Sequence, residues 1–174
     1  MGFLGPYTAF NFYVSLIDSS STGAALKSAA GFVAGFAMGG GFSECTGLDG
    51  TLQIEEYVEG GENSYTHKFA TRMTFSNIIL KRGVAFSEEL YNWHHDYLRG
   101  KGKRRDGVIY LLTEQRAPVK MWVFREGLPL KWSGPAFNAA TSALAVESME
   151  IAHHGLELLS AGTAAAAVSD AVFG

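Results

Sequence analysis

Cysteine is nearly absent from this chain: among 174 residues there is one, Cys45. A single cysteine excludes an intramolecular disulfide and any zinc site built from several thiolates. Proline is scarce, with 4 residues, and charged residues make up only 18% of the chain. The formal net charge of -3 provides no broad attraction to nucleic acid. The sequence therefore disfavours both a disulfide-stapled scaffold and a basic nucleic-acid-binding domain.

Long apolar runs are also missing. The most apolar stretch, Ala29–Phe42, has about 14 residues, whereas a membrane-spanning helix needs about 20. Lys27 and the glycines around it argue further against a transmembrane helix. The first ten residues have neither the basic start nor the sustained apolar core of a secretion signal. We therefore expect a chain that is made in the cytoplasm.

Glycine and aromatic residues are abundant, and several segments have the pattern of strands. Tyr7–Asp18 is rich in aromatic and β-branched residues, which is typical of a strand. Leu52–Glu59 alternates apolar and polar residues, and Gly60–Asn63 predicts a turn after it. Arg72–Gly83 is predicted as one further strand. Together these segments predict a β-rich fold.

One helix is predicted after Ser87. Ser87 can cap it, and the carboxylates of Glu88 and Glu89 favour the positive end of the helix dipole. The apolar stripe of this helix is predicted to consist of Leu90, Trp93, Tyr97 and Leu98. Arg99 and Gly100 are predicted to end it.

The second half of the chain continues with strands. A β-hairpin is predicted with strands Gly107–Thr113 and Pro118–Phe124, and Gly127–Pro135 predicts a bent connection. Ala143–Leu159 is predicted as the last strand. The sum is a mainly β fold, a two-sheet β-sandwich or barrel of about six to eight strands with one flanking α-helix.

Signatures of catalysis are scarce. No P-loop, zinc-protease or hydrolase motif is present in the sequence. His94 and His95 are neighbours on the predicted helix, where their side chains point about 100° apart. His153 and His154 are neighbours on a predicted strand, where they point to opposite faces. We therefore assign no catalytic residue, no cofactor and no metal ligand.

Two further segments stand out. Ser19–Gly41 is rich in Ala, Gly and Ser and carries apolar side chains that are costly to leave in water. We expect Ala29–Phe42 to pack against a neighbouring subunit, with contact to a membrane as the alternative. The basic run Lys101–Arg105 fits either a solvated loop or a subunit-contact patch. Residues 160–174 are predicted to form a small-residue C-terminal tail.

A series of short motifs, taken in order, resembles the phage tail tube family of contractile tails and extracellular contractile injection systems. The matching elements are FYVSLID (Phe12–Asp18), TGLD (Thr46–Asp49), EYVEGGEN (Glu56–Asn63), LKRG (Leu80–Gly83), the Trp93-bearing helix, PLKWSGP (Pro129–Pro135), FNA (Phe137–Ala139) and AVESMEIAHHGL (Ala145–Leu156). The resemblance runs from Tyr7 to about Leu159, and the insertion Ser19–Gly41 departs from it.

The resemblance implies a tail-tube-like β-barrel domain, residues 1–159, that forms hexameric rings and stacks into a rigid tube. Such a subunit is structural and not an enzyme. The implied partners are further copies of the chain, a sheath protein, baseplate and tube-initiator proteins, and a cap or terminator protein, with a protein effector or DNA as cargo in the lumen. The resemblance also implies assembly in the bacterial cytoplasm, within a phage tail or a tail-like particle that can be released outside the cell.

Within that architecture, individual residues receive roles. Lumen-facing side chains, by strand alternation, are Gln53, Glu55, Tyr57 and Glu59. Subunit or ring interfaces are assigned to Phe32, Val33, Phe36, Met38 and Trp132. The glutamates and histidines of the last strand are expected to face the lumen or a neighbouring copy.

Two alternatives remain open at this point. The insertion suits a tube-initiator or baseplate-proximal ring protein of the same machine, which copy number in particles would distinguish from the main tube protein. A secreted β-domain effector is the other alternative, and it predicts a monomer with a closed pocket.

Overall fold

The structure, a computed structural model, describes residues 11–18, 41–84, 87–140 and 142–160. Nine strands and one helix lie in these ranges. In chain order they are β1 (Phe12–Asp18), β2 (Glu44–Thr46), β3 (Gly50–Tyr57), β4 (His67–Phe75), β5 (Ile78–Gly83), α1 (Glu89–Leu98), β6 (Arg105–Leu112), β7 (Pro118–Ser133), β8 (Val146–Ala152) and β9 (Gly155–Ser160). The mainly β prediction with one flanking helix is confirmed for this part of the chain. Residues 161–174 of the predicted tail and residues 19–40 of the insertion lie outside it.

Seven strands form one bent antiparallel sheet. Its order is β1-β6-β7-β8-β5-β2, and β9 also pairs with β7. Strands β3 and β4 form a separate two-stranded sheet. The predicted hairpin between Gly107 and Phe124 is present as β6 and β7.

Strand β7 is the long element around which the sheet bends. Its first half pairs with β6 and β9, and its second half pairs with β8. Glu126, at the bend, has a φ of 56°. The bent connection predicted for Gly127–Pro135 is therefore wrong, because the strand continues to Ser133. The proline inside it is accommodated where the register shifts between Pro129 and Lys131, since a bulge tolerates a missing N–H.

The predicted last strand, Ala143–Leu159, is divided into β8 and β9 by a corner at the histidine pair. His153 Nδ1 lies 3.0 Å from the carbonyl oxygen of Gly155, and its Nε2 lies 3.1 Å from that of Ser76. The His154 amide donates to a carbonyl oxygen of β7 over 3.0 Å. The prediction of one strand is wrong because β8 and β9 together follow the bend of β7.

The single strand predicted for Arg72–Gly83 is also divided. Strand β4 stays paired with β3, whereas β5 enters the large sheet. Asn77, between the two strands, donates from Nδ2 to Glu150 Oε1 over 2.7 Å and anchors the change of sheet. The segment between β2 and β3 comes close to Asn77 at Gly47, which has a φ of 87°.

We expect Gly47→Ala to lower the free energy of unfolding by about 2 kcal/mol or more. The substitution places a side chain on a backbone of positive φ and also creates a steric clash. A Cβ at this position would lie 1.9 Å from the carbonyl oxygen of Asn77. Urea unfolding followed by circular dichroism measures the effect. Gly60→Ala is the control, since nothing lies within 4 Å of a Cβ there. Equal unfolding midpoints for the two variants would contradict this account of the close approach.

The core lies between the inner face of the bent sheet and α1. Its buried side chains are Val14, Ile78, Leu80, Leu90, Trp93, Ile109, Phe124, Met149 and Ile151. Trp93 Nε1 donates to the carbonyl oxygen of Lys103 over 2.8 Å, and the Arg105 guanidinium lies 5.3 Å from the centroid of the Trp93 ring. Helix α1 therefore supplies the second layer that covers one face of the sheet.

The ends of α1 largely follow the prediction, and its apolar stripe does so in part. The Glu89 amide donates to Ser87 Oγ over 3.4 Å, although Glu88 holds the position directly before the helix. Gly100, with a φ of 69°, follows the end of the helix as expected. Tyr97 and Leu98 are exposed, against the prediction, because the helix turns only its Leu90 and Trp93 face to the sheet.

Cys45 is half-buried and packs against the core. Burial raises the pKa of its thiol to about 11 from the ordinary value of 9.0. The thiol is therefore protonated at neutral pH and acts as a small apolar side chain.

Candidate assembly surfaces

The β3–β4 hairpin is exposed along nearly its whole length. Every side chain of β3 is exposed, and so are most of those of β4. A two-stranded sheet with no layer against either face is marginally stable in water. Among the described residues no layer covers the hairpin, so it is a candidate contact surface.

The two faces of the hairpin differ in composition, although one also carries the Glu56–Lys68 ion pair and the other also carries Phe69, opposite Glu55. Leu52 and Ile54 alternate on one face of β3, and Leu52 lies directly opposite Met73 of β4. All three side chains are about half exposed. We call this the apolar hairpin face. A sheet face of this kind, unburied in the single chain, marks an interaction site.

The other side of β3 carries the side chains predicted to face the lumen. Gln53, Glu55 and Tyr57 alternate along this face, which we call the polar hairpin face, and Glu59 follows two residues beyond the strand. Tyr57 lies opposite His67 of β4. The structure thus brings the predicted residues together on one exposed surface.

The sheets end in open edges. Within the described ranges, β3 and β4 pair only with each other, and β1 and β2 lie at the two ends of the large sheet. An open edge presents unpaired N–H and C=O groups that readily pair with another chain. The subunit therefore has edges through which a sheet could continue into neighbouring copies.

The loop between β3 and β4 is ordered by acidic side chains. Glu59 Oε2 lies 3.0 Å from His67 Nε2, and the ring of Tyr65 meets the His67 ring edge-on at 5.1 Å. The Glu62 carboxylate accepts hydrogen bonds from the hydroxyl and the backbone amide of Ser64. These two bonds lower the pKa of Glu62, so the carboxylate stays ionised.

Trp132, a predicted interface residue, is half-buried within its own subunit. Its Nε1 donates to Glu147 Oε2 over 3.0 Å, and the Tyr91 ring meets its indole edge-on at 5.1 Å. Glu147 is 7% exposed and accepts a hydrogen bond of 2.5 Å from Arg82 Nε. This cluster ties α1 to the sheet.

The cluster corrects the expectation that the glutamates of the last strand face the lumen or a neighbour. Glu147 points inward, on the same side of β8 as Met149 and Ile151. The alternation of Glu147 with Met149 and Ile151 is the signal in the sequence that Glu147 is buried. Alternation could not identify Arg82 as its partner, because Arg82 lies on β5 and is brought opposite Glu147 only by strand pairing.

Comparison with known proteins agrees with this geometry. The model of the T4-like virus tail tube protein gp19 family matches residues 8–157. The chain belongs to this family of tail tube proteins. A search of curated proteins found no match.

Solved structures share the fold of this tail tube protein. A chain of the anti-feeding prophage (AFP) baseplate is 21% identical, with 90% of this chain and 97% of that chain covered and a TM-score of 0.72. A chain of the PVC sheath–tube complex is 20% identical, with 89% and 92% covered and a TM-score of 0.70. A chain of the AFP tube-terminating cap is 20% identical, with 92% and 95% covered and a TM-score of 0.73. The tail-tube-like fold predicted from the sequence is confirmed.

This tail tube protein also exposes apolar side chains between β7 and β8. Phe137 is 87% exposed and Leu144 is 90% exposed. Both lie in the connection that follows β7. They mark a second candidate contact surface, in addition to the apolar hairpin face.

Metal-ligand clusters and membrane-spanning helices are absent from the described part of the tail tube protein. It holds no group of three or more histidine, cysteine or acidic side chains arranged for a metal ion. No helix in those residues has the length and apolar character needed to cross a bilayer. The predicted contact residues Phe32, Val33, Phe36 and Met38 lie outside the described ranges.

Proposed function

We propose that this tail tube protein is the inner-tube subunit of a contractile tail or contractile injection system, with six copies in each ring and stacked rings forming the conduit. The observation that carries the proposal is the exposed β3–β4 hairpin, with Leu52, Ile54 and Met73 together on one face. Because the described residues of the chain cover neither face, a neighbouring copy is the natural partner for the apolar one.

In the ring, the apolar hairpin face lies against the adjacent copy, and the polar hairpin face lines the lumen. Gln53, Glu55 and Tyr57 then present polar groups to a water-filled channel, and Glu59 ends the row at the boundary with the next ring. Open edges of β3 and β4 pair with strands of neighbours, so that one continuous sheet surrounds the lumen. Closing the sheet removes the edges that would otherwise cause uncontrolled pairing.

The six-fold symmetry and the partners are inferred from relatives with the same fold. The AFP baseplate structure that contains such a chain is six-fold symmetrised. Another relative comes from a sheath–tube complex in the extended state. A contact between two different surfaces of the same chain gives a closed ring when its rotation divides a full turn. We therefore propose a sheath around the tube, with baseplate and tube-initiator proteins at one end and a cap or terminator at the other.

The subunit acts as a wall and carries out no reaction of its own. A protein effector or DNA passes through the lumen, and the force for delivery comes from the sheath. Assembly takes place in the bacterial cytoplasm, in a phage tail or a tail-like particle. The insertion residues Phe32, Val33, Phe36 and Met38 are proposed to contact an adjacent copy. Trp132 supports such a contact from within the subunit, since its indole is anchored to Glu147.

A cap, terminator or initiator ring is the second candidate. The AFP cap and the PVC sheath/tube terminator match with TM-scores of 0.73 and 0.72, as high as that of the baseplate chain. The two functions differ in copy number. A main tube protein occurs in many rings per particle, whereas a terminal protein occurs in one.

Negative-stain electron microscopy of the purified protein, alone and with its sheath partner, tests the proposal. We expect hollow six-fold rings in end views and stacked tubes in side views. A monomer that remains dispersed under both conditions would overturn the tube assignment.

A further inference from the structure

Charge is strongly segregated between two short segments of this chain. Four of its 17 acidic residues fall within eight positions, Glu55–Glu62, with no basic residue among them. Five of its 14 basic residues fall within seven positions, Arg99–Arg105, with no acidic residue among them. We call these segments the acidic tip and the basic turn. Part of this charge is compensated within the subunit, since Glu56 pairs with Lys68, Arg104 with Glu126 and Arg105 with Glu89. The remaining charges of opposite sign attract each other when the two segments meet.

The acidic tip lies far from the body of its own subunit. It begins in the last three residues of β3, a strand whose eight residues span about 27 Å from the foot of the hairpin at Gly50. The carboxylates of Glu59 and Glu62 are held in place by His67 and Ser64, as described above. The tip is therefore a fixed, negatively charged end of a projecting element.

The basic turn is connected to the opposite end of the hairpin, at its foot. Arg104 Nη1 lies 3.2 Å from His154 Nε2. His153, the residue before His154, contacts the carbonyl oxygen of Ser76, which lies between β4 and β5. Lys101 and Arg99 are exposed on this turn. Within the described ranges, neither of them forms an ion pair. The length of the hairpin thus separates the two oppositely charged segments of one subunit.

We propose that the acidic tip of one copy docks on the basic turn of a copy in the next ring. A displacement by about one hairpin length brings the tip of one copy to the foot of the next. The contact joins two different surfaces of the same chain, so it repeats without limit along an axis and suits the stacking of rings. This inference rests on the proposed tube function and adds the pair of surfaces that sets the polarity of stacking.

Charge reversal tests the contact. The tip variant carries Glu55→Lys, Glu59→Lys and Glu62→Lys, which changes the formal charge of the tip from −4 to +2. The turn variant carries Arg99→Glu, Lys101→Glu and Lys103→Glu, which changes the formal charge of the turn from +5 to −1. We expect each variant alone to lose about tenfold in the fraction of protein that sediments as tubes, because like charges then face each other. Mixing the two variants in equal amounts should restore tubes, since each reversed surface meets an opposite charge on the other variant. A contact within one subunit could not be restored by mixing.

The controls separate the possible outcomes. A variant with Glu114→Lys and Glu157→Lys adds positive charge, as the tip variant does, but at exposed positions elsewhere, and it should assemble like the wild type. Circular dichroism of each dispersed variant establishes that the subunits are folded. Unchanged assembly of both reversed variants, or a mixture that fails to restore tubes, would overturn the contact while leaving the tube function intact. Failure of the wild type to assemble at all would overturn the tube function and this contact with it.

Discussion

Glu147→Ala is expected to lower the free energy of unfolding by about 3–5 kcal/mol, because it leaves the charge of Arg82 without its buried partner. The side chains of Arg82 and Glu147 are 15% and 9% exposed, so solvent screens the pair only weakly. The same change removes the acceptor of the Trp132 indole. Chemical denaturation of the dispersed subunit measures the loss.

Two controls make this result specific to the buried pair. Glu157→Ala removes an exposed carboxylate that lies 3.9 Å from Arg125, and its effect should stay within about 1 kcal/mol. The double change Arg82→Met with Glu147→Met removes both charges and should be less destabilising than Glu147→Ala alone. If Glu147→Ala unfolds at the same denaturant concentration as the wild type, the cluster does not hold α1 and the sheet together.

Leu52→Asn combined with Ile54→Asn is expected to raise the critical concentration for tube assembly by about a hundredfold. Each change removes about 1.5 kcal/mol of burial at the contact with the neighbouring copy, and 1.4 kcal/mol corresponds to a factor of ten. The subunit should stay folded, because both side chains are exposed in the single chain. Sedimentation over a range of protein concentrations measures the change.

The opposite face of the same strand supplies the matched control. Thr51→Asn combined with Gln53→Asn introduces the same side chain twice on the polar hairpin face without removing a large apolar group. These should leave the critical concentration close to that of the wild type, since that face is proposed to line the lumen. If the two double changes raise the critical concentration equally, the hairpin does not contact a neighbouring copy through its apolar face.

Much of the fold could be predicted where local pattern and pairing agree. Alternation and a four-residue turn identify β6 and β7, and Trp93 with Leu90 identifies the buried side of α1. The corner at His153 could not be predicted, because it depends on the bend of β7 rather than on its own neighbours in sequence. The break at Asn77 has a similar cause: its side chain is held by Glu150, 73 positions away.

The candidate site could be predicted in part for a related reason. Alternation along β3 groups Gln53, Glu55 and Tyr57 on one face, and the structure places them together. The sequence does not reveal that both faces of the β3–β4 hairpin are uncovered. Their covering layers belong to other copies in the proposed assembly, so the pattern of a single chain resembles that of an ordinary half-buried strand.

Helical reconstruction of assembled tubes by electron cryo-microscopy tests the central claim most directly, namely that the β3–β4 hairpin is the part of each subunit that completes the tube wall. The account predicts six copies per ring, strand pairing between this hairpin and a neighbouring copy, Leu52 and Ile54 against that neighbour, and Gln53 and Glu55 lining the lumen. A tube in which the hairpin folds back onto its own sheet, or projects outward away from every neighbour, would contradict it.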